Sequence, residues 1–260
     1  MSPGDPAGST DLVLDGAIAH VTFNRPAARN AMTWAMYEQL AAACAAIAAN
    51  PAIRVAVLRG AGGKAFVAGT DIEQFQHFNS GEDGIAYEKR VDEFVGALES
   101  LPIPTLAVIE GWAVGGGMAL ANACDLRLAT PGSRFGVPIG RTLGNCLSAA
   151  NLRRLCLKLG QAWVCRMLLA AEMPEAETLP SGYVEIVPPD ALEERITTLA
   201  GHIAGLAPLT LQATKEALRR LGNDAQAADA DLVRQVYGSE DFREGVAAFV
   251  AKRTPRWSGS

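Results

Sequence analysis

Two short segments hold residues whose types and spacing can do chemistry. Residues 64–73 read KAFVAGTDIE, and residues 111–125 read GWAVGGGMALANACD. Each comes after a short apolar run, VAVL at 55–58 and TLAVI at 105–109. The glycines 115–117 open a helix-like pattern. Glycine lets another group approach the backbone closely, and a helix N-terminus adds unpaired N–H donors and partial positive charge. Ligands of open α/β sheets bind where parallel strands end. Two such loops side by side could offer two amides to one oxygen, which is the geometry of an oxyanion hole. Packing of helix against strand explains the glycine run alone equally well. A dinucleotide site is disfavoured, because the glycines lack G-x-G-x-x-G spacing and no acidic residue ends a strand about 20 residues further on.

The elements that must position these loops follow from periodicity. Strands are expected at 17–23, ending at the turn Asn24-Arg25-Pro26, and at 55–58, 105–109 and 126–129. The run at 55–58 is fully apolar and that at 105–109 reads as buried, as strands are when both faces are covered. A helix over 33–49 places Met36, Leu40, Ala43 and Ile47 on one face, and a second helix over 83–101 is closed by Pro102 and Pro104. This alternation implies an α/β fold with a parallel core over the first half of the chain. From residue 147 the pattern is helical, over 147–159, 161–169, 191–205, 209–221, 225–238 and 241–252, with one strand at 183–187. A helical part this apolar must cover its own core or another subunit. Residues 1–10 read as a loose tail, and no sequence repeat is present.

Composition sets further limits. The net charge of −5 argues against nucleic acid or an anionic membrane as main partner. The five cysteines form no C-x-x-C pair and no metal-ligand spacing with the three histidines. They are expected to be reduced, buried thiols of a cytoplasmic protein, with no metal site. Neither a secretory signal nor a bilayer-spanning run is expected.

Five blocks, in order and across nearly the whole chain, make the sequence resemble the crotonase (enoyl-CoA hydratase/isomerase) superfamily. They are VTFNRPAARNAM (21–32), AFVAGTDI, GWAVGGGMALANACDLRLA, SRFGVP (133–138) and REGVAAFVAKR (243–253). The resemblance implies a crotonase-like spiral of ββα turns over 11–200 and a helical trimerisation region over 201–260, after the tail 1–10. It implies an acyl-CoA thioester as substrate, no cofactor beyond the coenzyme A of that substrate, and a homotrimer or a dimer of trimers. The backbone amides of Thr70 and Gly116 would hold the oxygen of a thioester enolate. The backbone at Ala68 would meet the adenine, with Gly69, Asp71, Gly115 and Gly117 in the same substrate-binding loops. Arg29 matches a basic position near the CoA phosphates, with a plain surface charge as the alternative. Phe249 and Lys252 match positions where the last helix touches a neighbouring subunit's CoA, with trimer packing as the alternative.

The sequence departs from the family at two places. Hydratases of this kind carry two glutamates, and the corresponding positions here are Ala119 and Ile139. A positioned acid or base contributes about 10²–10⁴-fold, so water addition by the usual machinery is not expected. In PIGRTLGNCL (138–147), Arg141 and Asn145 are the candidate substitutes. Arg141 stays protonated but could hold a substrate carboxylate in a bidentate pair. Asn145 could orient a water or a carbonyl, or simply bond within its loop. Asp71 and Asp125 read as local caps and Glu110 as a solvated loop carboxylate. Among the histidines His20, His77 and His202, only His77 lies near a loop of interest. Three functions stay open: a lyase or isomerase of the family, a carboxyacyl-CoA decarboxylase, and a non-catalytic acyl-CoA binder.

Overall fold

The computed structural model describes residues 7–71, 75, 80–223 and 230–260. Strands β1 (Ser9–Asp15) and β2 (Ile18–Asn24) pair antiparallel. Ser9 and Thr10 therefore belong to a strand and not to the tail. Thr10 donates its backbone N–H to Gln39 Oε1 (2.7 Å) and its hydroxyl to Met36 O (2.8 Å). Both acceptors lie on α1 (Trp34–Ala49), whose face Met36, Tyr37, Leu40, Ala43, Cys44 and Ile47 is buried. Thr33 caps this helix by accepting the Met36 amide.

The chain then makes three ββα turns. β3 (Val55–Gly60) and β4 (Ala65–Ala68) precede α2 (Gly81–Glu99). β5 (Thr105–Ile109) and β6 (Trp112–Val114) precede α3 (Gly116–Ala123). β7 (Leu126–Ala129) and β8 (Arg134–Gly136) precede α4 (Ala149–Leu159). The first strand of each turn joins a six-stranded sheet, β1-β2-β3-β5-β7-β9, completed by β9 (Glu185–Ile186). The second strands form a separate three-stranded parallel sheet, β4-β6-β8. Thus the structure repeats where the sequence does not.

Alternation along β3, β5 and β7 explains their apolar character. Ala56, Leu58, Ala107, Ile109 and Ala129 point into the main core. Val55, Val57, Leu106, Val108 and Leu128 point the other way, under Leu192, Ile196, Ala200 and Ile203 of α6 (Leu192–Ala204). Helix α6 runs through the boundary expected at residue 200 and covers the larger sheet. The remaining helices are α5 (Gln161–Leu169), α7 (Pro208–Asn223), α8 (Ala230–Tyr237) and α9 (Glu240–Ala251). The helix expected from 225 begins in a stretch outside the described residues. Cys146 is exposed, contrary to the expectation of buried thiols, whereas Cys44 and Cys124 are buried. Among the described residues no helix is long and apolar enough to cross a membrane.

Candidate active site

The loop after β4 is pinned along its length. Ala68 N donates to Arg29 O (3.1 Å), Met32 N donates to Gly69 O (2.9 Å), and Asp71 N donates to Met32 O (2.9 Å). Fully buried Asn30 anchors the other side of this contact: its amide donates to Ala61 O (3.0 Å) and Ala65 O (2.8 Å), and its Oδ1 accepts from Arg25 N (2.9 Å). Gly69 sits at φ +107, which glycine tolerates without strain. The Thr70 amide lies between the ladder bonds and takes no part in them.

The glycine loop meets this segment directly. Gly115 N donates to Gly136 O (3.0 Å). Gly116 is the first residue of α3, where the helix supplies no acceptor for its amide. A Cβ on Gly116 would stand 2.7 Å from Tyr37 Oη and 3.0 Å from Thr70 Oγ1, and one on Gly115 would stand 3.6 Å from Gly69 Cα. The two loops are therefore in contact. Gly117 has a different task, since its Cβ would lie 1.9 Å from Val67 O. Gly117 therefore packs α3 onto β4, whereas Gly116, one residue earlier, lines the cavity described below.

The far end of α3 is neutralised by two cations, as its dipole favours. Arg127 donates to Ala121 O (3.1 Å), Cys124 O (2.8 Å) and Asp125 O (3.1 Å). Lys158 Nζ donates to Cys124 O (2.6 Å). Burial, with Arg127 nearby, lowers the Lys158 pKa to about 8.

Beside the two loops lies a cavity of about 220 Å³. Ala68, Gly69, Thr70, Gly115 and Gly116 line one side, and Ala119, Ile139, Leu143 and Leu147 supply apolar wall. Thr70 Oγ1 accepts from Tyr87 Oη and bonds Tyr37 Oη, each at 3.0 Å. Burial pushes the Tyr87 phenol up to about 12 and the Tyr37 phenol higher still, so both stay neutral. Glu88 also lines the cavity, and its Oε2 accepts from Ser148 N (2.9 Å). Burial raises the Glu88 pKa, the Ser148 amide opposes that rise, and neighbouring Asp92 adds to it.

The cavity gathers Ala68, Gly69, Thr70, Gly115, Gly116, Ala119, Ile139 and Asn145 of the residues expected from sequence. Asn145 Oδ1 is buried with no hydrogen-bond partner among the described residues. Others fall outside the lining. Arg141 is exposed and is not among the residues lining this cavity. Asp71 pairs with Arg25 (2.6 Å), and Gly117 packs as described. Glu110 is held by Arg59 (3.0 Å) and is no free loop carboxylate. Asp125 accepts from the Thr105 amide and hydroxyl (both 2.8 Å) and from Lys215 (2.7 Å). Arg29 is exposed. Lys252 is exposed just past α9, and the Phe249 side chain and His77 lie outside the described residues. His20, on β2, and His202, on α6, do not line the cavity.

Tyr37, Tyr87 and Glu88 were missed from sequence. A signal existed for Glu88: it stands in phase with Val91, Val95 and Leu98, the buried face of α2. A carboxylate on an apolar stripe asks for a reason.

This fold and cavity define a class, and the comparisons agree with it. The family model for enoyl-CoA hydratase/isomerase matches residues 14–260, and the chain belongs to that family. It has the crotonase fold and is an acyl-CoA-processing enzyme of that family. Among its relatives is the (E)-benzylidenesuccinyl-CoA hydratase of Thauera aromatica, 36% identical over 96% of this chain and 98% of that one. The 2,3-dehydroadipyl-CoA hydratase of Escherichia coli is 34% identical over 92% and 94%. A crystal structure of an enoyl-CoA hydratase/carnithine racemase from Magnetospirillum magneticum superposes with a TM-score of 0.89 at 35% identity, covering 98% of each chain.

Proposed function

We propose that this chain converts unsaturated acyl-CoA thioesters through an enolate whose oxygen is held by the backbone amides of Thr70 and Gly116. The observation that carries the reading is the contact between the two loops, each leaving an amide outside the surrounding hydrogen-bond ladder beside one cavity. Fixed donors favour the charged enolate over the neutral thioester, which is differential stabilisation of the transition state. The substrate class rests on the relatives, which are named as hydratases of enoyl-type thioesters. An enolate route asks for no metal or redox cofactor, the coenzyme A arriving with the substrate. Decarboxylation of a carboxyacyl thioester loses Arg141 as its carboxylate-holding group, because Arg141 does not line the cavity. A reducing compartment, the cytoplasm, suits five unpaired cysteines.

The test uses purified protein with crotonyl-CoA, following loss of the enoyl-thioester absorbance, and with a β,γ-unsaturated thioester, following its gain. Gly116→Pro removes the amide, whereas Gly116→Ala adds the same Cβ and keeps it. Turnover lower in Gly116→Pro than in Gly116→Ala by about 10²–10³-fold is the expected result. Equal activity in the two variants would remove Gly116 from the mechanism. Binding of both thioesters with turnover of neither would make the chain a binder.

A further inference from the structure

The site as described can hold an enolate but lacks a carrier for the proton, because Ala119 and Ile139 cannot move one. We propose that Glu88, on the cavity face of α2, is the catalytic acid and base for the carbon next to the thioester carbonyl; this rests on the amide reading of Thr70 and Gly116. Among the described residues lining the cavity, Glu88 holds the one carboxylate, and neither histidine nor lysine is present.

Three features place it for the task. Tyr87, Glu88 and Val91 occupy one turn of α2 and all face the cavity. The Tyr87 hydroxyl donates to Thr70 Oγ1 (3.0 Å), which fixes that turn against the residue whose amide is to hold the enolate oxygen. The Ser148 amide, at the start of α4, holds Oε2 at 2.9 Å and leaves Oε1 without a hydrogen-bond partner among the described residues. The carboxylate is thus oriented by one oxygen and open at the other. Its support is itself braced: Ser148 Oγ donates to Asp92 Oδ1 (2.9 Å), and Arg154 bonds Asp92 (3.2 Å) and Glu99 (2.9 Å).

The step balances without an added reagent. A Glu88 carboxylate oxygen takes a proton from the α carbon. The C–H electron pair becomes the carbon–carbon double bond of the enolate, and the carbonyl π pair moves onto oxygen, between the two amides. Return of that proton from the Glu88 carboxylic acid to the α carbon regenerates the thioester. Where the substrate carries a conjugated double bond, removal at the γ carbon and return at the α carbon moves that bond. One carboxylate suffices for either route, since it releases the proton it took.

Exchange of the α proton tests this without presupposing the full reaction. Butyryl-CoA is incubated with the protein in D₂O, and deuterium uptake is read by mass spectrometry. Wild type is expected to exchange. Glu88→Gln keeps an oxygen for the Ser148 amide, and we expect it to bind butyryl-CoA yet exchange about 10²–10⁴-fold more slowly. Glu88→Asp is expected to fall between. The wild-type rate should rise with pH through the Glu88 titration, with Asp92 as its charged neighbour and Arg154 bonded to Asp92, and Glu88→Gln should lose that dependence. Exchange by Glu88→Gln at the wild-type rate would overturn the assignment. If Gly116→Pro were then inactive, the amide reading would survive on its own. If neither variant mattered, both would fall. Binding by wild type without any exchange would also overturn Glu88 as the base.

Discussion

Thr70 offers different atoms to different neighbours. Its hydroxyl meets Tyr37 and Tyr87, and its amide faces the enolate oxygen in our reading. Thr70→Val would keep the amide and remove the Oγ1 contact from both phenols. A buried polar group left unsatisfied costs about 1–3 kcal/mol, and Tyr37 is fully buried. We expect a lower melting temperature for Thr70→Val, partly restored by adding Tyr37→Phe, and a smaller loss of turnover than in Gly116→Pro. Unchanged melting would show that the triad of hydroxyls is not a stabilising unit. Glu88 gives a second test at this scale, through linkage. Its folded pKa lies above the unfolded one, because burial disfavours the carboxylate. Its contribution to stability is therefore full below the unfolded value and is lost as pH rises through the folded value. Denaturant unfolding should show wild type losing stability relative to Glu88→Gln over that window, and parallel curves would contradict it. Little of this was legible beforehand. Backbone donors leave a sequence signature through the glycines they need, which marked the two loops, and the family resemblance proposed Thr70 and Gly116 within them. Glu88 stands on the helix between the two loops, outside either motif, and only its phase on the apolar face of α2 marks it.

Helix α3 joins cavity to scaffold, with its N-terminus lining the cavity and its C-terminus under Arg127 and Lys158. Gly117→Ala would drive a Cβ to 1.9 Å from a backbone oxygen of β4. Overpacking against rigid backbone should cost about 3 kcal/mol or more, read as a shift in denaturant midpoint. A neutral effect would mean α3 can slide on β4. At the other end, Lys158 has its pKa lowered to about 8, below the ordinary lysine value of about 10.4. Between those values the unfolded chain holds the extra proton, so this group makes stability rise with pH. Lys158→Met should remove that rise when unfolding is compared at pH values below and within the window. Equal slopes would show that Lys158 is not titrating in the fold. At this scale the longer elements, α1, β2, β3 and β5, were legible because their patterns accumulate over five or more residues. Strands β4, β6 and β8 have three or four residues each and too few alternations to register. They surfaced only through the family resemblance.

Across the whole molecule, the helical C-terminal part leaves apolar side chains uncovered. Leu218, Leu221, Val233, Tyr237, Phe242 and Val246 are all exposed in the single chain. Exposed apolar surface on this scale marks an interaction face, and we propose that copies of this chain cover it as a homotrimer or a dimer of trimers. Sedimentation at micromolar concentration should give a multiple of three chains, and a monomer would contradict it. The most direct test of the enolate reading uses acetoacetyl-CoA, whose enolate has an ultraviolet band that the neutral thioester lacks. We expect wild type and Gly116→Ala to raise that band at a pH where the free thioester is neutral, and Gly116→Pro to bind without raising it. A thioester that binds wild type and stays neutral would contradict the claim that Thr70 and Gly116 hold an enolate.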